Sequence, residues 1–355
     1  MLEELNKVAD KITDLLLNDG FPNQIRPDYL KEAVLAYPMG GGKRLRPAIT
    51  MWFCGLFCQN PERALHTAAA LEIFHTWTLV HDDIIDKDST RRGQPTSHTY
   101  LADIIREKHQ IPMQEAKHCG ASMAILTGDL QQAWSFSLLH KAYKTEITAD
   151  LLIEIQNQIS NSLYPKLLSG EAIDVDFEHR NIEDISYYEI IEMLQLKTGE
   201  LLKFSAQAGA MIGLNASKIK LASVQLAGDF ASNAGLAFQL QDDILGVYAD
   251  TAELGKPVGN DIRERKVTVL IKKALEMACP SDVEFILTNL GNKNLTSEQL
   301  EQFRHIIKGC GALEAVQDLA KEYIGKAREA LAQLPDNQYR TLLSELADFL
   351  ITRKH

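Results

Sequence analysis

The sequence predicts an all-α protein, and three observations carry that expectation. Apolar residues recur at helical spacing along nearly the whole chain. No run of alternating apolar and polar residues, bounded by turn residues, stands out as a strand. Proline and glycine interrupt the pattern at intervals that suit helices of ordinary length.

Taken in order, residues 2 to 18 read as an amphipathic helix closed by Gly20 and Pro22. Residues 28 to 37 read as a second helix, stopped by Pro38 and the glycine run 40 to 42. Pro47 stands at the start of a third. Pro61 opens the next, which runs through HTAAALEIFHTWTLVHDD and is apolar almost all round, as expected of a central buried helix. Pro95 and Pro112 bracket a short polar helix or loop. Further helices are expected over 114 to 143, 148 to 169, 184 to 213 with a bend at Gly199, and 217 to 248. The stretch ADTAELGKPVGNDIRERK reads as a loop. Beyond residue 266, shorter helices are punctuated by Pro280, Gly291, Gly309 and Pro335. No repeat or linker divides the chain. Residues 1 to 355 are expected to form one domain, with residues 280 to 355 as a peripheral helical layer.

Composition narrows the function classes. The net charge is −11, from 37 basic and 48 acidic residues, which argues against nucleic acid and anionic membrane as main partners. An anionic substrate therefore needs a local basic cluster. The odd, scattered cysteines (Cys54, Cys58, Cys119, Cys279 and Cys310) argue against a disulfide framework or zinc, and for a reduced, cytoplasmic setting. The N-terminus carries acids within an amphipathic pattern and reads as neither signal nor transit peptide. No apolar run reaches the roughly 18 residues of a membrane span.

The chemistry centres on LVHDDIIDKDSTRRG, residues 79 to 93. Asp82 and Asp86 are one helical turn apart and share a face, with Asp83 beside them. Like charges at that spacing destabilise a helix, so three carboxylates there call for a cation. Hard divalent ions such as magnesium take oxygen ligands and share them with phosphates. Arg91 and Arg92 follow, and guanidinium suits phosphate oxygens. A second pair, Asp242 and Asp243, ends another long apolar helix, with Lys256, Arg263, Arg265 and Lys266 beyond it. One such pair alone reads as a solvated helix end. Two pairs, each beside a basic cluster, suggest cations bridging a diphosphate. GGGKRLRP adds Lys43, Arg44 and Arg46 before a helix, though it lacks the P-loop spacing. Lys197 and Thr198 interrupt a mid-chain helix. His75 lies two turns before Asp82, either as a satisfied core histidine or as part of the site.

In this order, GGGKRLRP, HDDIIDKDSTRRG, the GD at 128 and 129, the KTG at 197 to 199, FQLQDDIL and GKPVGNDIRERKVT resemble the trans-isoprenyl diphosphate synthase family, over roughly residues 38 to 270. The resemblance implies an isoprenoid-synthase helical bundle around a deep central apolar cavity, acting as a homodimer. It implies a Mg2+-dependent prenyltransferase that joins isopentenyl diphosphate head-to-tail to dimethylallyl, geranyl or farnesyl diphosphate. Carried over by position, Asp82, Asp83, Asp86, Asp242 and Asp243 bind magnesium. Lys43, Arg46, His75 and Arg92 hold isopentenyl diphosphate. Arg91, Lys197, Lys256 and Lys266 hold the allylic diphosphate, with Thr198 and Gln239 near the developing carbocation.

The sequence departs from the family pattern twice. Gly246 stands where the second motif usually has its last aspartate, leaving Asp250 or Asp261 to compensate. Glu171 stands where glutamine is common. Trp77 and Thr78 precede the first motif where the family sets product length, and a large residue followed by a small one resembles geranylgeranyl synthases more than farnesyl synthases. A farnesyl or longer-chain synthase is the alternative. A class I terpene cyclase would not need GGGKRLRP, and a silent regulatory subunit would be expected to lose its aspartates.

Overall fold

In a computed structural model, which describes residues 1–248 and 259–352, the chain is 81% helical. The helices are α1 (Leu2–Leu17), α2 (Asp28–Met39), α3 (Leu45–Cys58), α4 (Leu65–Ile85), α5 (Ser97–His109), α6 (Met113–Thr145), α7 (Ala149–Gln158), α8 (Tyr164–Phe177), α9 (Tyr187–Leu194), α10 (Glu200–Leu214) and α11 (Ala222–Tyr248). After the segment outside the described residues come α12 (Asn260–Arg263), α13 (Val269–Met277), α14 (Pro280–Asn289), α15 (Ser297–Gly309), α16 (Ala312–Ala332) and α17 (Gln338–Thr352). Among the described residues the sheet content is one ribbon, β1 (Thr90–Arg91) paired antiparallel with β2 (Gln94–Pro95). Each strand is two residues long, too short to show a strand periodicity in sequence. A two-residue hairpin turn matches strand twist when both central residues have positive φ. Arg92 and Gly93 do, at 52° and 73°.

The residues group into two compact units. The first comprises residues 1–156, 205–224 and 337–339, the second 157–204, 225–336 and 340–355, of which 353–355 lie outside the described residues.

In the first unit, α4 packs along α6 and α3, and α6 along α5. The expected all-round burial of α4 holds over most of its length, with Ala68, Ala69, Ala70, Ile73 and Phe74 at 0% exposure. Small residues let neighbouring backbones close in. A Cβ on Gly209 would stand 2.1 Å from the Thr50 carbonyl oxygen, and one on Gly213 would stand 2.6 Å from that of Cys54. The two glycines are one turn apart, so α10 rides directly on α3. Helix α2 runs one residue past Pro38 rather than stopping before it. Proline cannot donate to the carbonyl four residues back, that of Val34. The Gln131 side chain from α6 donates to that carbonyl instead, at 2.9 Å.

In the second unit, α13 packs against α16, α15, α14 and α9. Phe303, Ile307, Val316 and Ile324 are buried between these helices. Thr268 caps α13 by accepting from the Ile271 amide at 3.2 Å. π turns interrupt two stretches expected to be helical, at Ile159–Leu163 within 148–169 and at Gln195–Gly199 within 184–213. The second lies at the break expected near Gly199.

The α3–α10 contact leaves no room for a methyl group. Gly209→Ala is expected to destabilise the protein by about 1–3 kcal/mol, read as a melting temperature lowered by several degrees. An unchanged melting temperature would refute the close approach.

Candidate active site

Helix α4, with Asp86 as its C-cap, delivers three aspartates in two directions. Successive residues turn by roughly 100°, so Asp82 and Asp86 share a face and Asp83 does not. Asp82 and Asp86 offer carboxylate oxygens within 4.8 Å of one another, both at partly exposed positions. Asp83 is 1% exposed. Arg91 from β1 grips it, with Nε donating to Oδ1 and Oδ2 at 2.9 and 3.0 Å and Nη2 to Oδ1 at 2.5 Å. The Tyr37 hydroxyl donates to Asp83 Oδ2 and accepts from the Ser97 amide at 3.4 Å. Arg91 Nη2 also reaches Asp82 Oδ2 at 3.2 Å. Burial works against the Arg91 charge, but Asp83 and Asp82 hold its pKa above the ordinary value. Burial, with Asp83 alongside, also raises the Tyr37 phenol. The family resemblance implies a metal for Asp83 and a diphosphate for Arg91. In the structure these two groups engage each other.

The glycine loop before α3 is pinned by two arginines. Arg44 is 4% exposed, with a left-handed φ of 48°. Its Nη1 lies 2.6 Å from Glu72 Oε1, and its Nη2 donates to the Pro38 carbonyl. Arg92 Nη1 donates to the Gly41 carbonyl. Gly42 has a φ of 136°, which favours glycine, and a Cβ there would stand 2.8 Å from Arg92 Nη1, so a side chain would make that guanidinium shift. In the sequence Arg44 is one of several basic residues, and nothing local marks Tyr37 or Glu72. The carboxylate partners of Tyr37 and Arg44 lie 46 and 28 residues away and leave no local signal.

The remaining cations sit close by. Burial lowers the Arg46 guanidinium to about 10, partly offset by Glu72, so it stays charged at neutral pH. Its Nε is buried without a hydrogen-bond partner. Burial, then Arg46, Arg91, Arg92 and Arg44, push His75 well below the usual imidazole range. His75 is therefore a neutral hydrogen-bonding group at pH 7. A cavity of about 380 Å³ in this unit is lined by Arg44, His75, Arg91, Arg92, Ala36 and Leu79, among others. Lys43 is exposed on the loop. Trp77 is 4% exposed, edge-on to Phe74 at 5.0 Å and to His81 at 5.8 Å. Thr78 Oγ1 donates to the His75 carbonyl at 2.8 Å.

The second unit holds the other candidates. The π turn Gln195–Gly199 carries Lys197 and Thr198. Such turns often mark functional positions because they re-aim side chains. A Cβ on Gly170 would stand 2.3 Å from the Lys197 amide nitrogen, so α8 lies directly against this turn. Lys197 Nζ pairs with Asp174 Oδ2 at 2.7 Å and Glu171 Oε2 at 3.0 Å. Both carboxylates belong to α8, and Glu171 is the residue that departs from the family pattern.

Asp242 and Asp243 lie near the end of α11, with Gln239 one turn before Asp243 on the same face. Asp243 keeps some exposure as a residue, but its Oδ2 is inaccessible and has no hydrogen-bond partner. Burial, with Asp261 and Asp242 nearby, pushes its pKa well above the usual carboxylate range, and Lys266 opposes this. A Cβ on Gly246 would stand 2.3 Å from Asp261 Oδ2. The missing side chain thus makes room for the Asp261 carboxylate. The Lys266 amide donates to the Asp261 carbonyl at 2.9 Å. Lys256 and Asp250 lie outside the described residues.

Hard oxygen donors on one helix face (Asp82 and Asp86) and an orphaned buried carboxylate oxygen (Asp243) both suit magnesium. The arginine-rich loop suits phosphate.

A family model described as polyprenyl synthetase matches residues 27–307. A geranylgeranyl diphosphate synthase of Sulfolobus acidocaldarius is 37% identical, over 98% of this chain and 97% of that protein. The crystal structure of a geranylgeranyl pyrophosphate synthetase from Pyrococcus horikoshii superposes with a TM-score of 0.84 at 31% identity, covering 99% of this chain and 98% of that one. A geranylgeranyl pyrophosphate synthase from Corynebacterium glutamicum, solved with isoprenyl diphosphate and magnesium, superposes at 0.84 with 27% identity over 100% of both chains. With the all-α fold, the ordered motifs and a family match over most of its length, the chain belongs to the polyprenyl synthetase family of trans-prenyltransferases.

Proposed function

We propose that the protein condenses isopentenyl diphosphate with an allylic diphosphate and releases geranylgeranyl diphosphate as its main product. The observation that carries this reading is the pairing of carboxylates with phosphate-type cations within each unit. Asp82 and Asp86 stand with Arg91 in the first, and Arg92 lies beside Arg91. Asp242, Asp243 and Asp261 stand with Lys266 in the second. The relatives named as geranylgeranyl synthases support the product length.

Asp82, Asp86, Asp242 and Asp243 are the proposed magnesium ligands, with Asp261 compensating for Gly246. Asp83 belongs to the same group, acting in this conformation through Arg91. Bound magnesium neutralises charge that grows on the leaving diphosphate. Arg91, Lys197, Lys256 and Lys266 hold that diphosphate. Lys43, Arg46, Arg92 and neutral His75 hold isopentenyl diphosphate, three by charge and His75 by hydrogen bonding. The allylic C–O bond breaks with its electron pair leaving on diphosphate. Thr198 and Gln239 point oxygen dipoles toward the resulting allylic cation. The isopentenyl double bond attacks that cation, a C–C bond forms, and a proton leaves to the departed diphosphate. Apolar surroundings exclude water, which would otherwise quench the cation.

The repeated passage of the chain between the two units supports their acting as one catalytic domain. We further propose a homodimer in the cytoplasm, in keeping with five free cysteines. No helix among the described residues is long and apolar enough to cross a membrane.

Incubation with magnesium, isopentenyl diphosphate and each allylic starter is expected to give a C20 diphosphate, seen by chain-length analysis. No condensation with any starter would overturn the proposal. Asp82→Ala is expected to lower turnover by at least about a hundredfold while circular dichroism and melting temperature stay near wild type. Full activity would contradict the metal assignment. Trp77→Ala opens space in the helix leading to the first aspartates, and its products should lengthen. An unchanged product distribution rules out Trp77 as the stop.

A further inference from the structure

Residues 259–272 carry Asp261 and Lys266, the two groups that flank Asp243. Backbone bonds tie this segment to its surroundings. The Gly259 amide donates to the Gly246 carbonyl at 3.1 Å, and the Gly291 amide donates to the Ile262 carbonyl at 2.8 Å. Two cations then reach from it to a single turn, residues 178–183, just beyond α8. Arg265 Nη1 donates to the Glu178 carbonyl at 2.9 Å and Nη2 to the Arg180 carbonyl at 3.3 Å. Lys272, 9% exposed, donates through Nζ to the carbonyls of Ile182 and Glu183, both at 3.2 Å.

Two details show that the Arg265 side chain is accommodated at a cost. Its φ is 60°, a left-handed conformation uncommon for a long side chain. Gly291, at a φ of 90°, leaves room for it, since a Cβ there would stand 3.2 Å from Arg265 Cβ. Arg265→Gly would relieve the backbone but lose both carbonyl bonds. Helix α8, on the other side of the braced turn, supplies the Glu171 and Asp174 carboxylates that hold Lys197. The brace thus links the Asp261–Lys266 segment to the helix that fixes Lys197.

We propose that Arg265, seconded by Lys272, is a positioning residue for the allylic half-reaction. It holds Asp261 and Lys266 in register with Asp243 by tying their segment to the turn after α8. This rests on the reading that Asp242, Asp243 and Lys266 serve the allylic diphosphate.

The test uses the full chain carrying Arg265→Gly, which keeps the left-handed backbone, and Arg265→Lys, which restores a cation. For Arg265→Gly, the magnesium requirement and the KM for the allylic substrate should rise roughly three- to tenfold, as for loss of a positioning hydrogen bond. The KM for isopentenyl diphosphate and the ligand-free melting temperature should stay near wild type. The rise in melting temperature on adding magnesium with inorganic pyrophosphate should shrink, and Arg265→Lys should recover part of it. Wild-type magnesium dependence and an undiminished pyrophosphate shift in Arg265→Gly would overturn the proposal. So would equal losses for both substrates, which would mark a general structural role. If Arg265→Gly does not fold, Arg265→Gln is read by the same measures. If the wild type condenses nothing, the functional reading fails, while the pyrophosphate shift still decides the brace.

Discussion

A carboxylate buried at the end of an apolar helix costs several kcal/mol unless its charge is matched and its lone pairs are filled. Asp83 meets that condition through Arg91 on one side and the Tyr37 hydroxyl on the other. Much of the first unit's site follows from this. Tyr37 lies in the last turn of α2, next to Pro38, whose carbonyl receives Arg44. Arg91 ends the first strand of the β-ribbon, and the turn that follows swings Arg92 back onto Gly41. The glycine loop, the ribbon and the aspartate end of α4 are thus cross-linked by ion pairs and by arginine hydrogen bonds to backbone carbonyls. Asp82 and Asp86 are left on the other face, partly exposed and close enough to share a cation.

The second unit solves a different problem. Asp242, Asp243 and Asp261 gather with Lys266 among the groups that offset them, and burial raises the Asp243 carboxyl far above its ordinary value. Such an arrangement is unfavourable in the protein alone and becomes favourable with a divalent ion, which supplies the missing positive charge. Close backbone approach recurs around it. Gly246 admits Asp261, Gly170 admits the Lys197 turn, and Gly291 admits Arg265. Each glycine gives up side-chain packing so that a charged neighbour can be held in place.

Much of this was legible in the residues themselves. The all-α class, the buried α4, the paired aspartates and the basic runs each rest on a local pattern of spacing or composition. The break at KTG was visible as an interruption, though not as a π turn, because that depends on one extra residue inserted in an otherwise helical register. The β-ribbon escaped notice because two residues carry no periodicity. The extension of α2 through Pro38 escaped because the orphaned Val34 carbonyl is satisfied by Gln131, from a helix almost a hundred residues later.

The sequence by itself determined which groups are acidic, basic or apolar and which share a helical face, because those depend on residue identity and a period of 3.6. Tertiary structure alone decided how neighbouring groups divide their roles. Asp82 and Asp83 are adjacent in the chain, yet one is partly exposed beside Asp86 and the other is buried against Arg91 and Tyr37. Arg44 and Arg46 are equally basic, yet one is spent on Glu72 and Pro38 while the other keeps an unpartnered Nε. The reason is physical. A charge's role depends on its desolvation and on the partner it meets, and those partners are brought in by packing from distant parts of the chain.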